Sequence, residues 1–248
     1  MDTTGNRPSI FRTVFGASWL MVSTVFWGIV VVSASLISRK AAYVCGCAWA
    51  RGLLWSAGIS VHARGLENID PNGKYVFVSN HQSHMDILAL LCVVKAHLTF
   101  IAKRELFYVP FFGWSIAVLG HIAIDRSSAR KARASLDTAV RRLQDENISV
   151  VIFPEGTRSR TGEVSDFKRG SFSLAIESGL EVIPVSIDGT FRVLRKGSLW
   201  IHPGTATVTF GAPLDMTGLT ATDKDALSSR VRELIVAMKA PAMATPPG

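Results

Sequence analysis

The 248-residue chain has only three cysteines, Cys45, Cys47 and Cys92. An odd number without regular spacing excludes a disulfide framework, and no His/Cys ligand spacing accompanies them, so they read as reduced packing residues. Acidic residues are also scarce. Nineteen Asp and Glu stand against 27 Lys and Arg, for a formal net charge of +8. That balance suits an anionic partner such as nucleic acid, a phospholipid surface or a phosphorylated substrate. The cations are scattered rather than gathered into a run, which argues against nucleic acid. Internal repeats and low-complexity linkers are missing, which leaves one large domain with at most an appendage. Ser83 has no flanking glycines to make a Gly-x-Ser-x-Gly nucleophile elbow. His81 and His84 are not the i,i+4 pair that a helical metal site needs, so no metal is expected.

Charge itself is missing from Val14 to Ser38, a run of 25 residues that holds Trp19, Phe26 and Trp27. About 20 apolar residues suffice for a helical membrane span, and a signal peptide has a shorter apolar core of about 7–15. A second apolar segment, Ala41 to Ser60, is broken by Arg51. A charge there costs about 2.5–3.5 kcal/mol on insertion scales, so this segment is expected at the interface or packed on the first. Residues 1–60 therefore read as a hydrophobic helical membrane anchor. Basic residues flank the first segment on both sides, a pattern that a helical hairpin lodged in one leaflet would satisfy.

From residue 61 to 240 short β-rich runs alternate with helical patterns, the signature of an α/β fold: a mixed, mostly parallel sheet flanked by helices. The strands are expected at Ile59–Ala63, Tyr75–Ser79, Leu98–Ala102, Ile122–Asp125, Val150–Phe153 and Val182–Ile187. Leu199–His202 and Ala206–Phe210, joined by Pro203-Gly204, read as a hairpin. Helices are expected over 84–96, 111–119, 128–146, 169–178 and 222–238. Pro184 cannot donate within a ladder and is expected at an edge or a bulge. Residues 241–248 form a Pro- and Ala-rich tail expected to fray.

The chemistry concentrates where strands end. Asn80-His81-Gln82-Ser83-His84-Met85-Asp86 joins an apolar strand to an apolar helix. Ser83 and Asp86 fit a capping box, with Ser83 as N-cap and Asp86 three residues on. His81 and Asp86 equally fit a dyad in which a carboxylate orients an imidazole that serves as base. The pattern alone leaves both readings open. Phe153-Pro154-Glu155-Gly156-Thr157-Arg158 follows another strand, and its guanidinium suits a phosphate. Glu155 could brace an arginine or hold a substrate hydroxyl. Lys168-Arg169-Gly170 adds cations at the start of the next expected helix, where anions are favoured. Lys103-Arg104-Glu105-Leu106 leads into the aromatic run Phe107–Trp114, which suits a charged head with an apolar tail.

Taken in order, these segments resemble the four motifs of the glycerolipid acyltransferases. Asn80–Asp86 is similar to N-H-x-x-x-x-D. Lys103–Leu106, Phe153–Arg158 and Val182-Ile183-Pro184-Val185 resemble the next three. The resemblance spans about residues 60–190 and is strongest to the bacterial 1-acyl-sn-glycerol-3-phosphate acyltransferases. It implies a membrane enzyme of phospholipid synthesis, at the inner membrane with its active site facing the cytoplasm. It implies transfer of an acyl group from acyl-CoA or acyl-carrier protein to lysophosphatidic acid, with no other cofactor. His81 and Asp86 are then catalytic. Lys103 and Arg158 are candidates for the phosphate, Lys103 alternatively for the oxyanion, and Glu155, Gly156 and Thr157 shape the acceptor site. The same chemistry on glycerol 3-phosphate or a lyso-ornithine lipid is an alternative acceptor reading. Rivals of other classes are a non-catalytic protein that binds anionic lipid and a thioesterase or lipid hydrolase.

Overall fold

A computed structural model describes residues 10–125 and 127–239. The tail expected from residue 241 lies outside the described residues. Two helices lead the chain, α1 (Ile10–Ser35) and α2 (Arg39–Ser56). Ser38 separates them and caps α2, its hydroxyl accepting from the Ala41 amide at 3.0 Å. Trp19 donates its indole N–H to Ser56 Oγ at 3.1 Å, so α2 folds back antiparallel along α1. The window Ser18–Ser35 is long and apolar enough to cross a membrane, and only 17% of it is buried. α2 behaves differently. Tyr43, Cys47, Leu53 and Leu54 join the same apolar cluster as the sheet, and Arg51 stays exposed. The helix with a mid-segment charge is packed on protein, and the uncharged Ser18–Ser35 stretch of its neighbour keeps an open apolar face.

Seven strands follow: β1 (Ile59–Arg64), β2 (Val76–Ser79), β3 (Leu98–Lys103), β4 (Ile122–Ile124), β5 (Ser149–Ile152), β6 (Val182–Asp188) and β7 (Gly204–Phe210). Their order is β1-β7-β6-β2-β5-β3-β4, parallel at every pairing except β6 with β7. Side chains alternate across the sheet. Phe77, Leu98, Val151 and Ile183 face α2 and α3 (Met85–Val93). Val76, Val78, Val150 and Val182 face the other layer, which includes α5 (Ala129–Asp145), α6 (Ser173–Ser178) and α8 (Lys224–Met238). In α5 the core contacts come from Leu136, Ala139, Val140 and Leu143, which recur at helical spacing. Two short helices complete the set: α4 (Phe112–Val118), and α7 (Thr190–Val193), one turn and too brief to leave a periodic signal.

Two expectations change, and the bulge expected at Pro184 as the alternative to an edge is present. The hairpin between Leu199–His202 and Ala206–Phe210 does not form. β7 inserts between β1 and β6 instead, so both of its edges are taken. Leu199–His202 is left as an irregular segment with Leu199 81% exposed. Pro184 does not lie on an edge strand, because β6 is interior. It falls where the β6–β7 ladder is interrupted, between the Val182–Leu214 bridge and the Val185–Phe210 pair, so its missing N–H leaves no rung broken. The helix expected over 169–178 is a 3₁₀ turn, Arg169–Phe172, followed by the shorter α6.

Candidate active site

In a parallel sheet, ligands bind beyond the carboxyl ends of the strands. β2, β3, β5 and β6 bring His81, Lys103, the 153–160 loop and Thr190 to that one edge. β2 lies centrally, between β6 and β5, and His81 follows it by two residues.

The turn after β2 is held by its own polar groups. Asn80, fully buried, donates from Nδ2 to the Ile187 carbonyl at 2.8 Å and accepts from the Ile187 amide at 2.7 Å. Its carboxamide thus extends the β2–β6 ladder one step past the strand. The His81 N–H donates to Glu155 Oε1 at 2.7 Å, and the His81 carbonyl accepts from the Ser159 amide at 2.7 Å. Two bonds from the 153–160 loop therefore clasp the His81 backbone. Gln82 donates to the Gly162 carbonyl and Ser83 to the Leu194 carbonyl, both at 2.8 Å. Each side chain from Asn80 to Ser83 has a partner, so burying them carries no unpaired-group penalty.

Asp86, at the start of α3, is wholly buried. Its Oδ2 accepts from His81 Nδ1 at 2.8 Å and from the amides of Gln82 and Ser83 at 2.7 and 2.9 Å. Its Oδ1 accepts from the Thr190 hydroxyl at 2.5 Å. The bond to the Ser83 amide is the reach-back half of a capping box, and Ser83 Oγ accepts from the Met85 amide at 3.3 Å. The capping box expected with Ser83 as N-cap is not completed, since α3 is preceded by His84 without a side-chain cap and the Asp86 amide bonds the Ser83 carbonyl; the Asp86 carboxylate instead holds the turn amides and the imidazole together. With Nδ1 committed to Asp86 as donor, Nε2 is the free acceptor of the ring. The ring lies flat on Phe153, with centroids 4.1 Å apart and planes at 21°. Its side chain keeps 14% of its surface open. This is the arrangement of a general base: held in one tautomer, fixed in orientation and open at one nitrogen.

Glu155 is 4% exposed, and its two oxygens accept from the amides of His81 and Ser165. Burial pushes its carboxyl up, and those amides pull the other way. Its oxygens are turned to the backbone, so what it braces is the His81 amide and not an arginine. Glu155→Gln retains one acceptor oxygen and sets an NH₂ against an amide. The expected result is a loss of about 1–3 kcal/mol in stability, read by denaturant unfolding, with reduced activity.

Gly156 has φ +70°, the left-handed region that suits glycine, and a Cβ there would meet Lys168 Nζ at 2.8 Å. Thr157 Oγ1 accepts from Lys196 Nζ at 2.6 Å. Arg158 is half-buried and makes no hydrogen bond or ion pair among the described residues. Lys103, exposed at the end of β3, is likewise unpaired among them, whereas Arg104 is committed to Asp125 and the Tyr108 hydroxyl, each at 3.0 Å. Burial and the nearby Arg158 and His81 hold His84 below the usual imidazole range.

A large apolar cavity of about 1570 Å³ reaches this edge. Its walls include Trp27, Val31, Leu53, Leu88, Leu91 and Phe100, and it also touches His84 and Arg158. His81 itself does not line it. Trp19, Trp55, Leu199 and Trp200 also border the cavity and are at least 36% exposed.

An acyltransferase family model matches residues 60–188, just over half of the chain, and takes in β1 through β6 with every residue of the clasped turn. The chain belongs to the acyltransferase family. The acyltransferase is 36% identical to the 1-acyl-sn-glycerol-3-phosphate acyltransferase of Pseudomonas aeruginosa, over 84% of this chain and 82% of that protein. It is 30% identical to the enzyme of that name from Cocos nucifera, over 79% of this chain, and spans 64% of the coconut protein's length. The crystal structure of the 1-acyl-sn-glycerophosphate (LPA) acyltransferase of Thermotoga maritima superposes with a TM-score of 0.81 at 29% identity, covering 94% of this chain and 96% of that one. The N-terminal helices of this acyltransferase are thus within the shared architecture.

The sequence pointed to His81, Asp86 and the 155–158 loop but gave no role to Asn80, Gln82, Thr190 or Ser159. Asn80 stood inside a recognised motif. Thr190 and Ser159 had no local signal, since their partners lie 104 residues away for Asp86 and 78 for His81.

Proposed function

We propose that this acyltransferase moves a fatty acyl group from acyl-CoA or acyl-carrier protein to the sn-2 hydroxyl of 1-acylglycerol 3-phosphate, giving phosphatidic acid. The observation that carries the reading is the pairing of two features at one sheet edge. An imidazole locked through Nδ1 to buried Asp86 shares the sheet edge with half-buried Arg158, which is unpaired among the described residues and borders an apolar cavity. A base, an anion-binding cation and a space for hydrocarbon are what an acyl acceptor bearing a phosphate requires.

In the proposed cycle His81 Nε2 takes the proton of the acceptor hydroxyl as its oxygen attacks the thioester carbonyl. The C–S bond of the tetrahedral intermediate then breaks, and the imidazolium returns the proton to the departing thiolate. Asp86 stabilises the imidazolium in between. Lys103 either assists with the phosphate or stabilises the oxyanion. The cycle closes with donor and acceptor alone. Arg158 is assigned to the acceptor phosphate, where guanidinium offers bidentate bonds. Arg158→Ala is expected to raise the acceptor KM about tenfold or more, the scale of one lost charge-assisted hydrogen bond, with a smaller change in kcat. An unchanged KM moves the phosphate elsewhere.

The open apolar face of α1, continuous with exposed Trp55 and Leu199, supports membrane association. We assign the inner membrane, with the sheet edge on the cytoplasmic side and α1–α2 in that leaflet. The direct test is purified enzyme with a labelled acyl donor, run against lysophosphatidic acid, glycerol 3-phosphate and a lyso-ornithine lipid. Transfer to lysophosphatidic acid is expected. Preferred transfer to another acceptor, or release of free fatty acid, overturns the assignment.

A further inference from the structure

Three cations converge on the Gly156-Thr157-Arg158 segment, and two of them come from beyond it. Lys168 lies along Gly156. A Cβ on that glycine would fall 2.8, 3.2 and 3.3 Å from its Nζ, Cε and Cδ, so the lysine occupies the space a side chain would fill. Lys196 reaches from the loop after α7 and donates to Thr157 Oγ1 at 2.6 Å. Arg158 is the next residue.

No carboxylate neutralises this group among the described residues. Glu155 adjoins it in sequence, but both of its oxygens are held on the amides of His81 and Ser165. Asp166 is fully exposed and stands 3.8 Å from Arg232. Glu163 pairs with Lys239 at 3.1 Å. Like charges held together without a counter-ion repel one another and favour a multivalent anion among them.

We propose that Lys168 and Lys196, together with Arg158, form a cradle for the phosphate monoester of the acceptor, with Lys196 a specificity-determining residue; this rests on the assignment of Arg158 to that phosphate. A monoester carries about −1.5 to −2 charge at pH 7, against a single charge for a phosphodiester, so three cations select the monoester. Lys196 lies beyond residues 60–188, outside the segment matched to the family. It comes to the site from the loop that follows α7. Both lysines reach the loop through long flexible stems, so each can shift from its present contact to a phosphate oxygen. The bond from Lys196 to Thr157 keeps it in place meanwhile.

The experiment compares wild type with Lys168→Ala, Lys196→Ala and the double variant, as full-length protein. Acceptor KM, donor KM and kcat are measured with lysophosphatidic acid, and inorganic phosphate binding is followed by calorimetry. Each single variant is expected to raise acceptor KM about tenfold and the double variant about a hundredfold, at about 1.4 kcal/mol per tenfold step. Donor KM and kcat should move by less than about threefold, a split that a general structural defect would not give. Phosphate binding should weaken in parallel. An unchanged acceptor KM, or a donor KM that rises in its place, overturns the cradle. If wild type does not acylate lysophosphatidic acid yet binds phosphate through these lysines, the cradle stands and the acceptor assignment falls. If wild type binds no phosphate, the cradle falls whatever the acceptor.

Discussion

His81→Ala is expected to lower kcat by about 10³–10⁴-fold, the upper part of the range for general acid–base catalysis, while the protein remains folded. The case for a folded variant is geometric. The clasp of the turn uses His81 backbone atoms, its N–H to Glu155 and its carbonyl to Ser159, and alanine retains both. Asp86 loses one of four partners and keeps the amides of Gln82 and Ser83 and the Thr190 hydroxyl. The cost to stability should then be about 1 kcal/mol, that of a lost hydrogen bond, together with the stacking on Phe153. Single-turnover transfer with a labelled donor, alongside denaturant unfolding, separates the two effects. Turnover near the wild-type rate in a folded His81→Ala protein would remove the imidazole from the mechanism.

The second large effect is at Asp86, and here the choice of replacement decides what is lost. Asp86→Ala leaves the Gln82 and Ser83 amides buried without an acceptor, and the Thr190 hydroxyl keeps only the longer bond to Gln82 Oε1 at 3.3 Å. Each unsatisfied group costs about 1–3 kcal/mol, so a destabilisation of several kcal/mol is expected and the turn itself should open. Asp86→Asn keeps the volume and one carbonyl oxygen for the two amides, and its NH₂ can face the Thr190 hydroxyl. Stability should fall less, by about 1–2 kcal/mol, but the carboxylate that holds the Nδ1–H tautomer and stabilises the imidazolium is gone. By analogy with the buried aspartate of a serine-protease triad, kcat should drop about 10⁴-fold. A stable Asp86→Asn protein with ordinary kcat would show that Asp86 holds the turn only. The pair of variants thus distinguishes the two readings that the sequence left open for Ser83-His84-Met85-Asp86.

Both arguments depend on how one carboxylate is shared. Holding the turn and orienting the imidazole do not compete in this fold, because the first turn of α3 directs Asp86 back over the end of β2. The same oxygen that accepts from the Gln82 and Ser83 amides accepts from the ring of His81, five residues before Asp86. Removing Asp86 therefore loosens the turn and disorients the base together, whereas removing the imidazole leaves the turn standing.

The sequence by itself determined much of the frame. β-rich runs alternating with helical periods are local signals. They located all seven strands, with one run too many at Leu199–His202, and placed α5 within the expected 128–146. It also determined which strands end in chemistry, since Asn80–Asp86, Lys103 and Glu155–Arg158 each follow an apolar run directly. What it could not determine is pairing at a distance. β7 was assigned a hairpin with its neighbour because Pro203-Gly204 is a turn signal; the strand instead took β1 and β6 on either side, where it buries Ala206, Val208 and Phe210. Glu155 read as a brace for an arginine or a residue for acceptor, because acidic side chains in a loop with arginine are ambiguous. Only the approach of β5 to β2 turned it onto the His81 amide, 74 residues away. Thr190 on Asp86 and Lys196 on Thr157 have the same origin, contacts across 104 and 39 residues that no window of sequence contains. The physical reason is common to all of these. Periodicity and turn chemistry act within a few residues, while the sheet order decides which strand ends meet, and the site is built from what meets there.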